Sequence, residues 1–343
     1  MSRSPMVSIC MASYNHACFL PATLDSIIGQ SFQDLELIVV DDGSTDDSLA
    51  ILRSYARKYP KIMRVFTHPG ERNLGISASC NLATREAHGT YWLTHSSDDV
   101  SSQDRIERQV AFLESHPDIG WVYGVADYID REGKRLPGQF GEDLSSFPDL
   151  AEQLILRNMI AGITTMVRMK CVTEAGPFEP ELVYGDWEFW IRLAVCSPAA
   201  FLPGAVAGYR CHDYNTSMSF PQYESPERRH ENLKNSIEVL TTLRRKANSA
   251  KNPLGEPRKK ALLDLSRAAM FCLLRDKNST SYAIRDVFES DPSFRKDWEG
   301  LAQFLTQFQF RRLAYLIVRE LGFPPLWLTN KAFRSALVRI LAH

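Results

Sequence analysis

The run Leu35-Glu36-Leu37-Ile38-Val39-Val40, with Asp41-Asp42-Gly43-Ser44-Thr45-Asp46-Asp47 directly behind it, constrains this chain more than any other stretch. Four apolar residues in succession, Leu37 to Val40, suit a strand covered on both faces, as strands inside a parallel sheet are. A strand that ends in Asp, Gly, Ser and Thr passes straight into a turn, and Ser44 or Asp46 can cap the helix that follows, whose apolar stripe is Leu49, Leu52 and Tyr55. The same grammar recurs on either side. Residues 7–12 predict a strand and residues 21–30 a helix, with Pro21 suited to a first helical position and Leu24, Ile27 and Ile28 forming one stripe. Residues 62–66 predict a strand, 76–86 a helix, 90–93 a buried strand and 104–115 another helix. Strands alternating with helices at these spacings imply βαβ units, right-handed crossovers and a Rossmann-like, mostly parallel sheet. The loops at Ser13, Asp41, Arg72 and Asp98 then line one sheet edge, where open α/β sheets bind ligands. Neither GxGxxG nor GxxxxGK[ST] occurs at these turns, which disfavours a dinucleotide fold and a P-loop.

The middle of the chain is less regular. Residues 120–130 predict a longer strand with a turn at 130–133, and residues 134–150 an irregular loop. A short helix over 151–158, a strand over 162–168 and a helix over 170–175 closed by Gly176 follow. A helix opens at Asp186, and 201–209 read as a strand. After residue 219 the character changes to helices, at 227–246, 257–275, 281–289, 296–320 and 326–342. The expected organisation is therefore an α/β domain over residues 1–220 and an all-helical C-terminal domain over 221–343.

Charge divides at the same place. The chain carries a net −1, but residues 221–343 hold 22 Lys+Arg against 13 Asp+Glu, a net of +9. The acidic first part argues against nucleic acid as a partner. Seven cysteines, an odd number without a CxxC pair, suit a reduced compartment. With no apolar leader near residue 7 and no run of eighteen apolar residues, the expected location is cytoplasmic. The last helix places Trp327, Leu328, Phe333, Leu337, Ile340 and Leu341 beside Lys331, Arg334 and Arg339. A basic amphipathic helix of this kind can lie on an anionic membrane at its inner face. The competing readings are a helix packed on its own domain or a dimer interface.

The adjacent pair Asp98-Asp99 follows the strand over 90–93. Hard cations such as Mg2+ or Mn2+ take oxygen ligands and bridge to phosphates, so a strand-end acidic pair suits a metal on a diphosphate. The structural alternative is that Asp98 or Asp99 caps the helix over 104–115.

Taken together, the stretches VSICMASYNHACFLPATLDSIIGQSF, LELIVVDDGSTDDS, RNLGISASCNLA, GTYWLTHSSDDV, GDWEFWIRLA and YRCHDYNTS resemble family 2 glycosyltransferases of the A-type fold, in order and separation, across residues 7–217. The resemblance implies an inverting, nucleotide-sugar-dependent enzyme that transfers a hexose, from a uridine diphosphate sugar, to a hydroxyl of a saccharide or lipid-linked acceptor in surface polysaccharide or glycan assembly. It implies that Asp41 meets the uracil with Ala12 and Tyr14 lining the base pocket. Asn73, Gly75, Ser97 and Asp98 complete the donor site. Asp98, Asp99 and His212 would hold a divalent metal, Mn2+ or Mg2+. The family's DxD signature falls on Ser96-Ser97-Asp98, so its first acid is a serine here. Cys80 stands where an arginine is often found. The family's Glu-Asp pair falls on Gly185-Asp186, making Asp186 the implied catalytic base, with the segment 178–184 free to admit acceptor. Two other readings remain open: a nucleotidyltransferase, and a non-catalytic sugar-nucleotide-binding or scaffold protein with a degenerate DxD.

Overall fold

The computed structural model describes residues 4–147, 150–156, 158–213 and 215, with 235, 238, 239, 242 and 243. The chain divides into two compact units, Met1–Ser225 and Pro226–His343. The elements below belong to the first. The helices expected after 220, including the basic one over 326–342, lie outside the described residues except for those five positions.

The parallel half forms as the apolar runs dictate. Strand β1 (Val7–Ser13) pairs in parallel with β2 (Leu35–Asp41) on one side and with β4 (Tyr91–Ser96) on the other, and β2 pairs in parallel with β3 (Met63–Thr67). Every residue of β2 is buried, because helices cover both faces. Helices α1 (Leu20–Ile28), α2 (Ser48–Lys58) and α3 (Ile76–Arg85) make the crossovers, and α4 (Arg105–Ser115) follows β4. Leu24, Ile27, Leu52 and Leu113 pack on Ile9, Leu37, Val39 and Leu93 in one core. Truncating any of these leucines to alanine removes about 2–5 kcal/mol.

The strand ends are held in register. Ser13 lies opposite Asp41, Asp41 opposite Thr67, and Ala12 opposite Ser96. Residues 94–96, expected to be loop, therefore continue β4, because β1 offers partners as far as Ala12.

The second half departs further from expectation. The sheet is mixed: after β3-β2-β1-β4 its order continues with β8 (Met166–Arg168), β6 (Trp121–Ile129), β9 (Ala199–Arg210) and β5 (Val100–Ser101), with β7 (Arg135–Phe140) on β6. The short strand β8 runs antiparallel to both β4 and β6, while β9 runs parallel to β6. Residues 162–164 form a 3-10 turn instead of the first part of a strand. Residues 135–140, expected to be irregular, form β7, a largely exposed strand paired to β6. Helices α5 (Leu150–Leu156), α6 (Met169–Ala175) and α7 (Gly185–Cys196) complete the unit.

The two-residue strand β5 (Val100–Ser101) pairs antiparallel with β9, Val100 opposite Gly208. A Cβ at Gly208 would come within 2.9 Å of Val100 Cγ2, so glycine permits this approach. The pairing brings the chain after β9 back against the end of β4.

Candidate functional site

Asp98 lies two residues beyond the end of β4 at Ser96, and its side chain is turned to the sheet edge. Its Oδ2 lies 2.9 Å from His212 Nε2 and 4.0 Å from His16 Nε2. His212 is placed by the β5–β9 pairing, and its ring stacks on Phe19 at 4.6 Å between centroids. Asn215 Oδ1 accepts from the His212 backbone N–H at 2.6 Å. His16 sits in the loop after β1 and meets the His212 ring edge-on at 5.7 Å. Ser97 Oγ is 2.7 Å from His16 Nδ1, which leaves Nε2 as the nitrogen turned toward Asp98. Ligand atoms of His16, Asp98 and His212 all fall within 4.8 Å of one another. Burial tends to raise the Asp98 pKa, but the His212 hydrogen bond and the charges of both histidines prevail and hold it below the ordinary carboxylate value. Burial lowers the His16 pKa, against the pull of Asp98. A neutral imidazole, a second imidazole and an ionised carboxylate form a donor set that fits a divalent metal.

Asp99 does not join this cluster. Its Oδ1 accepts from the backbone N–H of Arg210 at 2.7 Å, and its own carbonyl accepts from Thr23 Oγ1 at 2.8 Å. The chain bends at Ser97 and Asp98, so the Asp98 carboxylate faces the two histidines while that of Asp99 faces the β9 backbone. Burial and the neighbouring Asp98 charge push the Asp99 pKa well above its ordinary value. The grouping expected from sequence, Asp98 with Asp99 and His212, is therefore replaced among the described residues by Asp98 with His16 and His212. Neither acid caps α4, whose N-cap position is Asp104.

Beside this edge, Asp41 is fully buried at the end of β2. Its Oδ1 accepts from the Ser44 N–H at 3.0 Å. Its Oδ2, and the hydroxyl of Ser13 on the neighbouring strand, have no hydrogen-bond partner among the described residues. A buried, partnerless carboxylate oxygen costs desolvation energy unless a ligand donates to it. Ala12 is partly exposed and Tyr14 exposed on the adjoining strand end and loop. Asp42 holds the loop before α3, accepting from Leu74 N at 2.8 Å and Gly75 N at 2.9 Å, with His68 Nε2 3.4 Å away. That bracing fixes Gly75, at φ 89°, ahead of the first turn of α3, and Asn73 lies exposed in the same loop.

Asp186 stands in the first turn of α7. Its Oδ1 accepts from Trp187 N at 2.7 Å, and its Oδ2 lies 3.4 Å from Asn158 Nδ2. Burial raises its pKa despite those two hydrogen bonds. Glu188, its neighbour on the helix, is fully buried and paired at 2.7 Å through both oxygens with Arg192, which also donates to Pro177 O. Glu188 is thereby committed to structure. Trp187 is also core, donating its indole N–H to Leu154 O at 2.6 Å. Cys80 is buried on α3, and burial with the charges of Asp186 and Asp42 pushes its thiol up to about 12. It therefore stands between those carboxylates as a neutral group.

The segment before Asp186 is not loose as expected. Asn81 donates to Phe178 O at 2.8 Å and accepts from Phe178 N at 2.9 Å, and Ser77 Oγ donates to Leu182 O at 3.2 Å. Sequence reasoning missed His16, Phe19, Asp42 and Asn158. For His16 and Asp42 a signal existed, since each sits in a strand-end loop that had already been singled out. Nothing in the spacing marked Phe19 or Asn158.

Residues 8–172 match the family model described as Glycosyl transferase family 2. An uncharacterized glycosyltransferase of Methanocaldococcus jannaschii is 28% identical over 190 residues, which is 55% of this chain and 64% of that protein. This chain therefore spans just under two thirds of that relative's length. Among solved structures, Staphylococcus aureus TarS residues 1–349 in complex with UDP-GlcNAc superimposes with a TM-score of 0.62 at 17% identity, over 98% of this chain and 90% of TarS 1–349. The mannosyltransferase PcManGT of Pyrobaculum calidifontis, in complex with GDP-Man and Mn2+, superimposes with a TM-score of 0.55 at 17% identity, over 99% and 85%. At these identities the likeness establishes the fold, which is the A-type glycosyltransferase fold.

Proposed function

Because residues 8–172 belong to glycosyl transferase family 2, we propose that the chain is an inverting glycosyltransferase that moves a hexose from a nucleoside diphosphate sugar, a uridine diphosphate sugar by our reading, to a hydroxyl acceptor. The observation that carries this reading is the placement of Asp98 with two imidazoles on the same sheet edge as the partnerless Asp41 oxygen. The imide N–H of a uracil is a suitable donor to Asp41 Oδ2, with Ala12 and Tyr14 beside the base. Asn73, Gly75 and Ser97 belong to the same donor site in this reading. Asp98 and His212 would hold a divalent metal, Mn2+ or Mg2+, and PcManGT is a neighbour solved with Mn2+. Such an ion, when bound, neutralises charge on the departing diphosphate.

Asp186 does the proton work. The acceptor hydroxyl loses its proton to the Asp186 carboxylate as its oxygen bonds to the anomeric carbon and the bond to the diphosphate breaks on the opposite face. A carboxylate with a raised pKa is a stronger base than an ordinary one. Asn158 and the Trp187 N–H fix its direction.

The acceptor we favour is a saccharide or lipid-linked hydroxyl in surface polysaccharide or glycan assembly, and the reaction is cytoplasmic. Six described cysteines are free thiols, in keeping with a reduced compartment. Among the described residues no helix is long and apolar enough to cross a membrane. The basic helix over 326–342 would bring the enzyme to an anionic membrane surface. Flotation with anionic liposomes tests that contact: the full chain is expected to float and a chain ending at Gly322 to remain behind, and equal behaviour counts against it. The enzymatic reading is tested by release of nucleoside diphosphate from a panel of nucleotide-sugars with Mn2+ and with chelator. Metal-dependent release that is lost in Asp98→Asn supports it. Undiminished release in that variant contradicts it.

A further inference from the structure

The position that the DxD pattern gives to an acid is Ser96, which leaves Asp98 as the single edge-facing carboxylate of that stretch. The loop after β1 supplies a substitute. Its backbone is pinned to the β2–α2 connection: Asn15 N donates to Ser44 Oγ, His16 N to Ser48 Oγ and Ala17 N to Asp46 Oδ2, each at 3.0 Å. Asn15 adopts φ 52°, an αL conformation that asparagine tolerates better than most residues. This delivers the His16 ring to Ser97 Oγ, which takes up Nδ1 and turns Nε2 to Asp98. Orientation of one imidazole nitrogen by a hydrogen bond to the other is how metal-ligating histidines are commonly set. The His16 side chain is 20% exposed, against 12% for Asp98 and 1% for His212, so the cluster opens to solvent on the His16 side.

We propose that His16 is a metal ligand in place of the acid missing at Ser96, so that the site is two imidazoles and one carboxylate and prefers Mn2+ and Co2+ over Mg2+. This rests on the reading that Asp98 holds the metal. Ligands at about 2.1 Å from one ion lie roughly 3–4 Å from each other. The separations of 2.9 and 4.0 Å from Asp98 Oδ2 lie close to the two ends of that range. Nitrogen donors favour later first-row ions, whereas Mg2+ is held by oxygen. The assignment explains why Ser97, which carries no charge to offer a metal, is buried and aimed at a histidine rather than at solvent.

The test measures metal affinity without turnover. Mn2+ binding to the full chain is followed by the electron paramagnetic resonance of free Mn2+, Co2+ by its visible absorption, and Mg2+ by competition. The variants are His16→Ala, His16→Asp and Asp98→Asn, each with its metal-free melting temperature. The expected result is Mn2+ at least ten-fold tighter than Mg2+ in the unsubstituted chain. His16→Ala loses ten-fold or more in Mn2+ affinity, and His16→Asp narrows the Mn2+/Mg2+ ratio. If both His16 variants keep the original affinities and ratio while Asp98→Asn loses the metal, the assignment of His16 is overturned and the Asp98 site stands. If the unsubstituted chain does not bind Mn2+, or Asp98→Asn binds it equally well, the Asp98 reading fails and this one with it. Should His16→Ala melt lower without metal, His16→Asp decides, and an unchanged ratio there overturns the assignment.

Discussion

Asp98 and Asp99 are adjacent in the chain and opposite in electrostatics. The Asp98 carboxylate faces two histidines that favour its ionised form, and the Asp99 carboxylate is buried next to a like charge that disfavours it. The sign for Asp99 follows: its folded pKa lies above its unfolded value, so its contribution to stability is greatest at low pH and is lost as pH rises through the folded pKa. Asparagine keeps the oxygen that accepts from Arg210 N and removes the charge. Asp99→Asn is therefore expected to retain Mn2+ binding and to match or exceed the parent in stability at pH 8, measured by denaturant unfolding. Loss of Mn2+ binding would return Asp99 to the metal. Asp186 is argued in the same terms. Asp186→Asn should bind donor normally and lose transfer by at least about 10²-fold, the scale of a removed general base. In the parent, the rate should fall as pH drops through the raised Asp186 pKa, at a higher pH than an ordinary carboxylate would show. Reduced donor affinity with normal turnover would place Asp186 in the binding shell instead. Asp41, Asp98, Asp186 and His212 were legible because each ends or begins an element whose apolar pattern is visible. The loop that holds His16 was legible too, but not the partners of its ring, because Ser97 and Asp98 lie some eighty residues away and come alongside only through the pairing of β1 with β4.

Elements read well where both faces are buried and poorly where pairing alone defines them. The β1, β2 and β4 runs announce themselves, but β5 has two residues and exists because β9 lies beside it. Strand β7 is mostly exposed, contains Pro137 and Gly138 and is followed by Gly141, so no apolar alternation marks it. The β2–α2 loop has its own test. Gly43, at φ 76°, packs backbone to backbone on the loop before α3, and a Cβ there would come within 2.6 Å of Glu71 O and 2.8 Å of Asn73 N. Gly43→Ala is expected to destabilise the unit by about 1–3 kcal/mol, the scale of local backbone strain, and to weaken nucleotide binding. Unchanged affinity for uridine diphosphate by calorimetry would separate that loop from the donor site. On α7, Glu188→Ala removes the carboxylate partner of Arg192, which keeps only its backbone acceptors, and should lower stability by about 3 kcal/mol, as removal of one partner of a buried ion pair does. The folded fraction should keep near-normal turnover. If turnover is abolished in fully folded protein, Glu188 and not Asp186 is the base.

At the scale of the whole molecule, alternation of strand and helix gave the parallel half, β3-β2-β1-β4, with its ligand edge. It could not give the mixed half, because antiparallel returns through β8 and β5 depend on contacts between segments far apart in sequence. The acidic first part and basic remainder mark two bodies, and the division at Ser225 and Pro226 falls near the change of composition. All four elements of the proposed site, Asp41, the Asp98 cluster, Asp186 and the bracing of α3, lie within the first unit. The central claim is that this unit binds a nucleoside diphosphate sugar together with a divalent ion at Asp98. The most direct measurement is the melting temperature of the full chain with a panel of nucleotide-sugars, with and without Mn2+, in the parent and in Asp98→Asn. A ligand at a hundred times its Kd stabilises by about 2.7 kcal/mol, which for a unit of this size is roughly 5–10 °C. A rise of that order with a uridine diphosphate sugar and Mn2+, absent in Asp98→Asn, is the expected result. No rise with any nucleotide-sugar, or the same rise in Asp98→Asn, contradicts the claim.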